Sequence, residues 1–148
     1  MTATLSDDHA VCAEVLAASG SSFALPIRLL PAAKRQAMTA LYAFCRRADD
    51  ISDGPQAAPP KALAADRLQR ARDELAAFRH GLSAALEAAD CSDPVLRAMA
   101  DTARRYAIPP RTLFAVIDGV EQDLDFEQRE QGDGCLFASV DQLQAYCR

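Results

Sequence analysis

Leu41-Tyr42-Ala43-Phe44-Cys45-Arg46-Arg47-Ala48-Asp49-Asp50-Ile51-Ser52-Asp53 reads as the end of one helix with chemistry on one face. At about 100° per residue, Tyr42, Arg46, Asp49 and Asp53 fall within a stripe about 60° wide and roughly 16 Å long. An aromatic ring, a cation and two carboxylates therefore share a face. Three aspartates crowd the last turn or so, where the negative end of the helix dipole disfavours each by roughly a few tenths of a kcal/mol or more. A merely solvated surface would more naturally carry lysine there. Carboxylates at this spacing can hold a hard cation, and Mg²⁺ takes one or two carboxylates and completes its shell with water and phosphate oxygens. The plainer alternative is a solvated acidic helix end, with Arg46 serving as an intrahelical partner of Asp49 or Asp50.

Helical periodicity extends outward from this stretch in both directions, and no segment alternates as a strand would. The expected fold is all-α. A first helix is predicted from Ser6 as N-cap, with Val11, Cys12, Val15 and Leu16 inward and a stop at Gly20. Phe23 to Leu30 reads as a short helix with Pro26 near its first turn, and Pro31 opens the helix that ends near Asp53. Gly54-Pro55 and Pro59-Pro60 bracket a loop. Leu68, Ala71, Leu75, Phe78, Leu82 and Leu86 then form one apolar stripe. Asp93-Pro94 starts a further helix with Val95, Leu96, Met99, Ala103 and Tyr106 inward, closed by Ile108-Pro109-Pro110. Leu113, Val116, Ile117, Val120 and Leu124 mark a sixth, and Gly132-Asp133-Gly134 a turn. Ser139 and Gln142 have the spacing of a capping box and open a seventh helix. Because Arg148 follows without a closing signal, the sequence is expected to continue beyond this point.

The composition narrows the function. The chain has 148 residues, half of them apolar, with 16 basic and 21 acidic residues and a net charge of −5. That is enough for one real core, and the absence of a long basic cluster argues against nucleic acid as a partner. The five cysteines are scattered without a C-x-x-C pair, which suits a reducing cytoplasm. Residues 1–8 lack the order of a signal peptide, and no apolar run nears the ~18 residues of a membrane span. A soluble protein is expected, with peripheral association at a membrane left open. His9 and His80 stand alone and read as surface residues. Neither a Ser-His-Asp set nor a Walker or dinucleotide loop is present.

Ser21-Ser22-Phe23 precedes a helix, where serines commonly cap; the same hydroxyls and free N–H groups also suit phosphate. Together with Leu29-Leu30-Pro31, the Tyr42 to Asp53 run, Asp118-Gly119-Val120-Glu121-Gln122-Asp123-Leu124 and Ala145-Tyr146-Cys147, this segment resembles the squalene and phytoene synthases over about residues 20 to 148. The resemblance implies an isoprenoid-synthase-type helical bundle, apparently truncated to its N-terminal half. Residues 1–148 would form one partial domain, with 1–20 a lead-in helix and 21–148 the family-like region. It further implies Mg²⁺-dependent, head-to-head joining of two C15 or C20 prenyl diphosphates, such as farnesyl or geranylgeranyl diphosphate, through a cyclopropyl intermediate. By motif position, Asp49 and Asp53, helped by Asp50, would hold the metal. Ser21, Ser22 and Arg46 would bind diphosphate, Phe23 would line the prenyl channel, and Tyr42 and Tyr146 would lie at the reacting centre. A dry cavity with aromatic faces suits an allylic cation, and Phe23, Tyr42, Phe44 and Tyr146 are candidates for those faces.

The chain departs from the family pattern in three places. Ala24-Leu25-Pro26 follows Ser-Ser-Phe where aromatic residues are common, and Leu136-Phe137 stands in place of an Arg-Tyr pair. A second aspartate-rich motif is missing. Asp118, Glu121, Asp123, Asp125 and Glu127 scatter around their helix and read mostly as a solvated face, with Asp123 at most supporting the site. The 148 residues alone are therefore expected to be inactive. Two other functions compete: a non-catalytic helical interaction or assembly protein on the same fold, and a generic helical binding domain. Retention of Asp49, Asp53, Arg46 and Tyr146 argues for the enzyme.

Overall fold

Local signals in the sequence place most of the helix ends. The computed structural model describes residues 4–53, 61–130 and 139–146, and side chains over 4–53, 66–125 and 139–144. The helices are α1 (Leu5–Ala18), α2 (Ala24–Arg28), α3 (Ala32–Asp53), α4 (Lys61–Leu86), α5 (Pro94–Tyr106), α6 (Pro110–Glu130) and α7 (Val140–Tyr146), with no strand among the described residues. Asp93 caps α5 as its sequence suggests: its carboxylate accepts from the Val95 and Leu96 amides at 2.8 and 3.3 Å, and Pro94 occupies the first turn where no N–H is needed. Ser139 likewise accepts from the Gln142 amide at 3.2 Å. The loop expected at Gly54 to Pro60 and the turn at Gly132-Asp133-Gly134 lie outside the described residues.

Helix α3 is central. It packs against α1, α2, α4, α5 and α6, while α5 also meets α1 and α4, and α6 meets α4. Small side chains make this close packing possible, since Ala40, Ala43 and Ala48 of α3 and Ala98, Ala100 and Ala103 of α5 are all buried. Leu68, Ala71, Leu75, Phe78 and Leu82 form the inward face of α4, and Leu113, Ile117, Val120 and Leu124 that of α6. Gly81 marks a close approach of α4 to α5, where a Cβ would come within 2.8 Å of Leu96 Cδ1.

Four details differ from the expectation. Helix α1 is capped by Thr4, not Ser6: Thr4 Oγ1 accepts from the Asp7 amide and the Asp7 carboxylate accepts from the Thr4 amide at 2.9 Å. This reciprocal pair satisfies two groups at once, which Ser6 does not do. Tyr106 is 41 % exposed, because it is the last residue of α5 and the next, Ala107, turns into the left-handed region at φ 52°. Phe44 is buried against Phe78 with ring centroids 5.4 Å apart, so it belongs to the core and not to the wall of the cavity that Phe23 and Tyr42 line. His9 is buried too, a consequence of α1 packing on α5, which sets His9 Nε2 3.6 Å from Asp101.

The α1–α5 junction carries a buried ion pair. Asp8 is only 2 % exposed, and Arg97 meets it with two bonds, Nε to Oδ2 at 2.9 Å and Nη2 to Oδ1 at 2.5 Å. A third bond runs from Arg97 Nη1 to the Cys91 carbonyl at 2.7 Å. Fork geometry of this kind offsets the desolvation of both charges.

Candidate active site

Helix α2 and the outer face of α3 enclose an open cavity of about 510 Å³. Ser21, Phe23, Tyr42, Arg46 and Asp49 all line it, so three of the separated sequence segments converge on one space. Its floor is apolar, made by Ile27, Leu30, Met38 and Leu41. Ser21 sits at the mouth in a local turn: its hydroxyl accepts from the Phe23 amide at 3.2 Å, and its own amide donates to Ser19 Oγ at 3.2 Å. That arrangement holds Phe23 beside Tyr42, with ring centroids 6.3 Å apart and planes tilted by 52°. Ser22 is exposed and does not line the cavity. Tyr146 lies on α7, and its side chain is outside the described residues.

The α3 C-terminus supplies the charges. Arg46 Nη2 is 2.6 Å from Asp50 Oδ1, an ion pair across one turn that raises the guanidinium's proton affinity. The plainer reading of Arg46 is thus realised with Asp50, although Arg46 still borders the cavity. Asp49 and Asp53 differ from Asp50: among the described residues, no hydrogen bond or ion pair engages either carboxylate. Partial burial, first, and the neighbouring Asp53 charge, second, push the Asp49 carboxyl above its ordinary range, with Arg46 pulling it back and Asp50 and Asp123 adding repulsion. Asp123 of α6 therefore bears electrostatically on this turn from the opposing helix. The exposed backbone end of α3 is tied down separately, since Ser52 Oγ donates to the Asp49 carbonyl at 2.9 Å and Arg67 Nη1 to the Ser52 carbonyl at 3.0 Å. These bonds fix the last turn while leaving the two carboxylates available.

This pair could hold a divalent cation. Two unbonded carboxylates one turn apart repel each other, and an oxygen-seeking cation between them would remove that repulsion. Among the described residues, no three His, Cys, Asp or Glu side chains form a preassembled cage, so water and ligand oxygens would have to complete the coordination shell. The rest of the acidic helix is otherwise engaged: Arg79 pairs with Asp118 and lies 3.6 Å from Glu121, and Arg72 pairs with Asp125 at 2.8 Å. Most of that face is solvated, as its spacing suggests.

Cys45 was not among the residues singled out for the site, yet it lines the cavity, and burial together with the Asp49 charge raises its thiol pKa. The signal was available, because position 45 lies three residues after Tyr42 and four before Asp49, on the same helical face.

An all-helical chain with an apolar cavity edged by a hydroxyl, a guanidinium and a carboxylate is suited to a ligand with a charged head and a greasy body. The chain belongs to the squalene/phytoene synthase family, whose model matches residues 16–148, and its all-α architecture is consistent with an isoprenoid-synthase-type fold. It is 36 % identical over 127 residues to a phytoene synthase of Mycobacterium bovis, covering 86 % of this chain and 35 % of that protein. To the presqualene diphosphate synthase of Rhodopseudomonas palustris it is 32 % identical over 126 residues, 85 % of this chain and 41 % of that one. A 15-cis-phytoene synthase of Synechococcus elongatus is 30 % identical over 145 residues, 98 % of this chain and 41 % of the relative. The chain thus spans 35 to 41 % of the length of these curated relatives. No solved structure matches it significantly. Among the described residues, no helix is long and apolar enough to cross a membrane.

Proposed function

We propose that this chain supplies one side of the diphosphate clamp of a head-to-head prenyl synthase, acting on two C15 or C20 prenyl diphosphates in squalene, hopanoid or carotenoid synthesis. The observation that carries the reading is the convergence of Ser21, Phe23, Tyr42, Arg46 and Asp49 on one cavity. Its apolar floor would take the prenyl chain, and the polar edge the diphosphate. Arg46 and the Ser21 hydroxyl would bind diphosphate oxygens, the guanidinium exchanging its surface pair with Asp50 for a doubly charged partner. Phe23 and Tyr42 would face the prenyl carbons and exclude water from the allylic cation that remains when the C–O bond breaks and its electron pair leaves with diphosphate. That cation would add to the alkene of the second substrate, forming one C–C bond and a new carbocation, and loss of a proton would supply the electron pair that closes the cyclopropane ring. Mg²⁺ held by Asp49 and Asp53 would neutralise charge developing on the departing diphosphate.

The solvated-helix-end reading accounts for Asp50 and its pairing with Arg46. It does not account for an unbonded Asp49 carboxylate in the wall of an apolar cavity with Asp53, also unbonded among the described residues, one turn on. We further propose that these 148 residues bind substrate but do not turn it over, because the described residues oppose the Asp49–Asp53 pair with Asp123 alone. The test is calorimetric titration of a non-hydrolysable prenyl diphosphate analogue. Binding should require Mg²⁺ and weaken at least about tenfold, or about 1.4 kcal/mol, in Asp53→Asn. Binding that is absent, or indifferent to the substitution, overturns the enzyme reading; steady release of diphosphate from farnesyl diphosphate overturns the inactivity.

A further inference from the structure

A second cavity, about 430 Å³ in volume, lies between α1, α2 and α3, on the far side of Ile27 from the first. Ile27 forms part of both walls and is buried. We propose that this second cavity binds a small anion with a short apolar body, such as an alkyl phosphate or carboxylate, its head held by Arg28 and Arg35.

The charge of the lining selects an anion. Arg28 and Arg35 border the space, and no carboxylate does. Arg35 spends one Nη on the Arg28 carbonyl at 3.3 Å, which orients its guanidinium and leaves the remaining donors of the fork available. Two of the other polar groups are already engaged within the protein: the Thr39 hydroxyl donates to the Arg35 carbonyl at 2.8 Å, and Gln36 Oε1 accepts from Arg105 at 3.2 Å; the Ser6 side chain also borders the space.

His9 supplies the second observation. It is 9 % exposed, it lines the cavity, and neither ring nitrogen has a hydrogen-bond partner. Buried polar atoms are nearly always bonded, so an orphaned ring in the cavity wall marks a place where the packing is incomplete. Asp101 stands 3.6 Å from Nε2, beyond hydrogen-bond reach, so it leaves that nitrogen without a partner. Alanines and Leu16 make up most of the remaining wall, which sets the short apolar body, and the volume lies within the range of small-ligand sites.

The experiment is calorimetric titration of the full chain with hexyl phosphate, hexanoate and hexanol, alongside NMR of the His9 ring nitrogens. Saturable one-to-one binding of at least one anion is expected, at least about tenfold tighter than hexanol and weakened at least about tenfold in the Arg28→Gln/Arg35→Gln double variant. The His9 signals should move with the titration. Ala13→Phe, which fills the space from an exposed position on α1, should abolish binding, whereas Asp53→Asn should leave it unchanged. The tighter of the two anions identifies the head group. Failure of both anions to saturate, hexanol binding as tightly as either, or indifference to the arginine substitutions overturns the proposal. Loss of binding in Asp53→Asn also overturns it, by assigning the probe to the first cavity.

Discussion

Two sets of aspartates sit at opposite kinds of helix end and have opposite surroundings. Asp8 lies in the first turn of α1, where the helix dipole favours a negative charge, and it is buried in a forked pair with Arg97. Asp49 and Asp53 lie in the last turns of α3, where the dipole opposes them, and no side chain bonds their carboxylates among the described residues. The first set is a satisfied joint between α1 and α5. The second is a cost to stability that the proposed cation site would explain. A carboxylate tied to a partner says little about function, whereas two left unpaired against the dipole, one of them in the wall of an apolar cavity, make a candidate site.

Breaking the satisfied joint should have the largest effect. Arg97→Met leaves Asp8 buried without a counter-charge, which in a fully enclosed site costs ~3–5 kcal/mol; with the arginine side chain 28 % exposed, about 2–4 kcal/mol is expected in urea unfolding. The same treatment at the α3 end should run the other way. Asp49→Asn/Asp53→Asn should raise stability by roughly 0.3–1 kcal/mol, by relieving dipole and mutual repulsion, while it removes metal-dependent binding. A loss of stability there would show the pair to be structural.

The smallest effect concerns the α1 cap. Thr4→Ala should cost ~0.5–1 kcal/mol. It should also blunt an acid dependence, since hydrogen bonds from the Thr4 amide and then its hydroxyl hold Asp7 below the usual carboxylate range. A depressed folded-state pKa contributes stability that is present above about pH 4 and is lost as pH falls through the lowered value. Unfolding curves of parent and variant should therefore converge in acid.

What was legible in the sequence was local or periodic. Asp93-Pro94 announces α5 because the cap and the residues it serves are adjacent, and the α4 stripe shows because Leu68 through Leu82 repeat at helical spacing. The Tyr42 to Asp53 face was readable for the same reason. What depended on distant partners was hidden. Asp8 meets Arg97 across 89 positions, and nothing near His9 signals that α5 will bury it. Phe44 and Phe23 looked alike as aromatic candidates; Phe78 on α4 takes one into the core, and the Ser21 turn leaves the other at a cavity mouth. The Thr4 cap is hard to read from sequence because its partner three residues on is aspartate, not the glutamate or glutamine usual in a capping box.

The central claim is that the α3 carboxylates are left unpaired to hold a cation against a diphosphate. Paramagnetic broadening by Mn²⁺, followed by NMR in the presence of a prenyl diphosphate analogue, tests it most directly. Signals of residues 46–53 and of Ser21 to Phe23 should broaden first, those of Asp8 and Arg97 should remain sharp, and the pattern should vanish in Asp49→Asn/Asp53→Asn. Broadening centred on Asp118, Glu121 and Asp125, or broadening that survives the double substitution, would contradict the account.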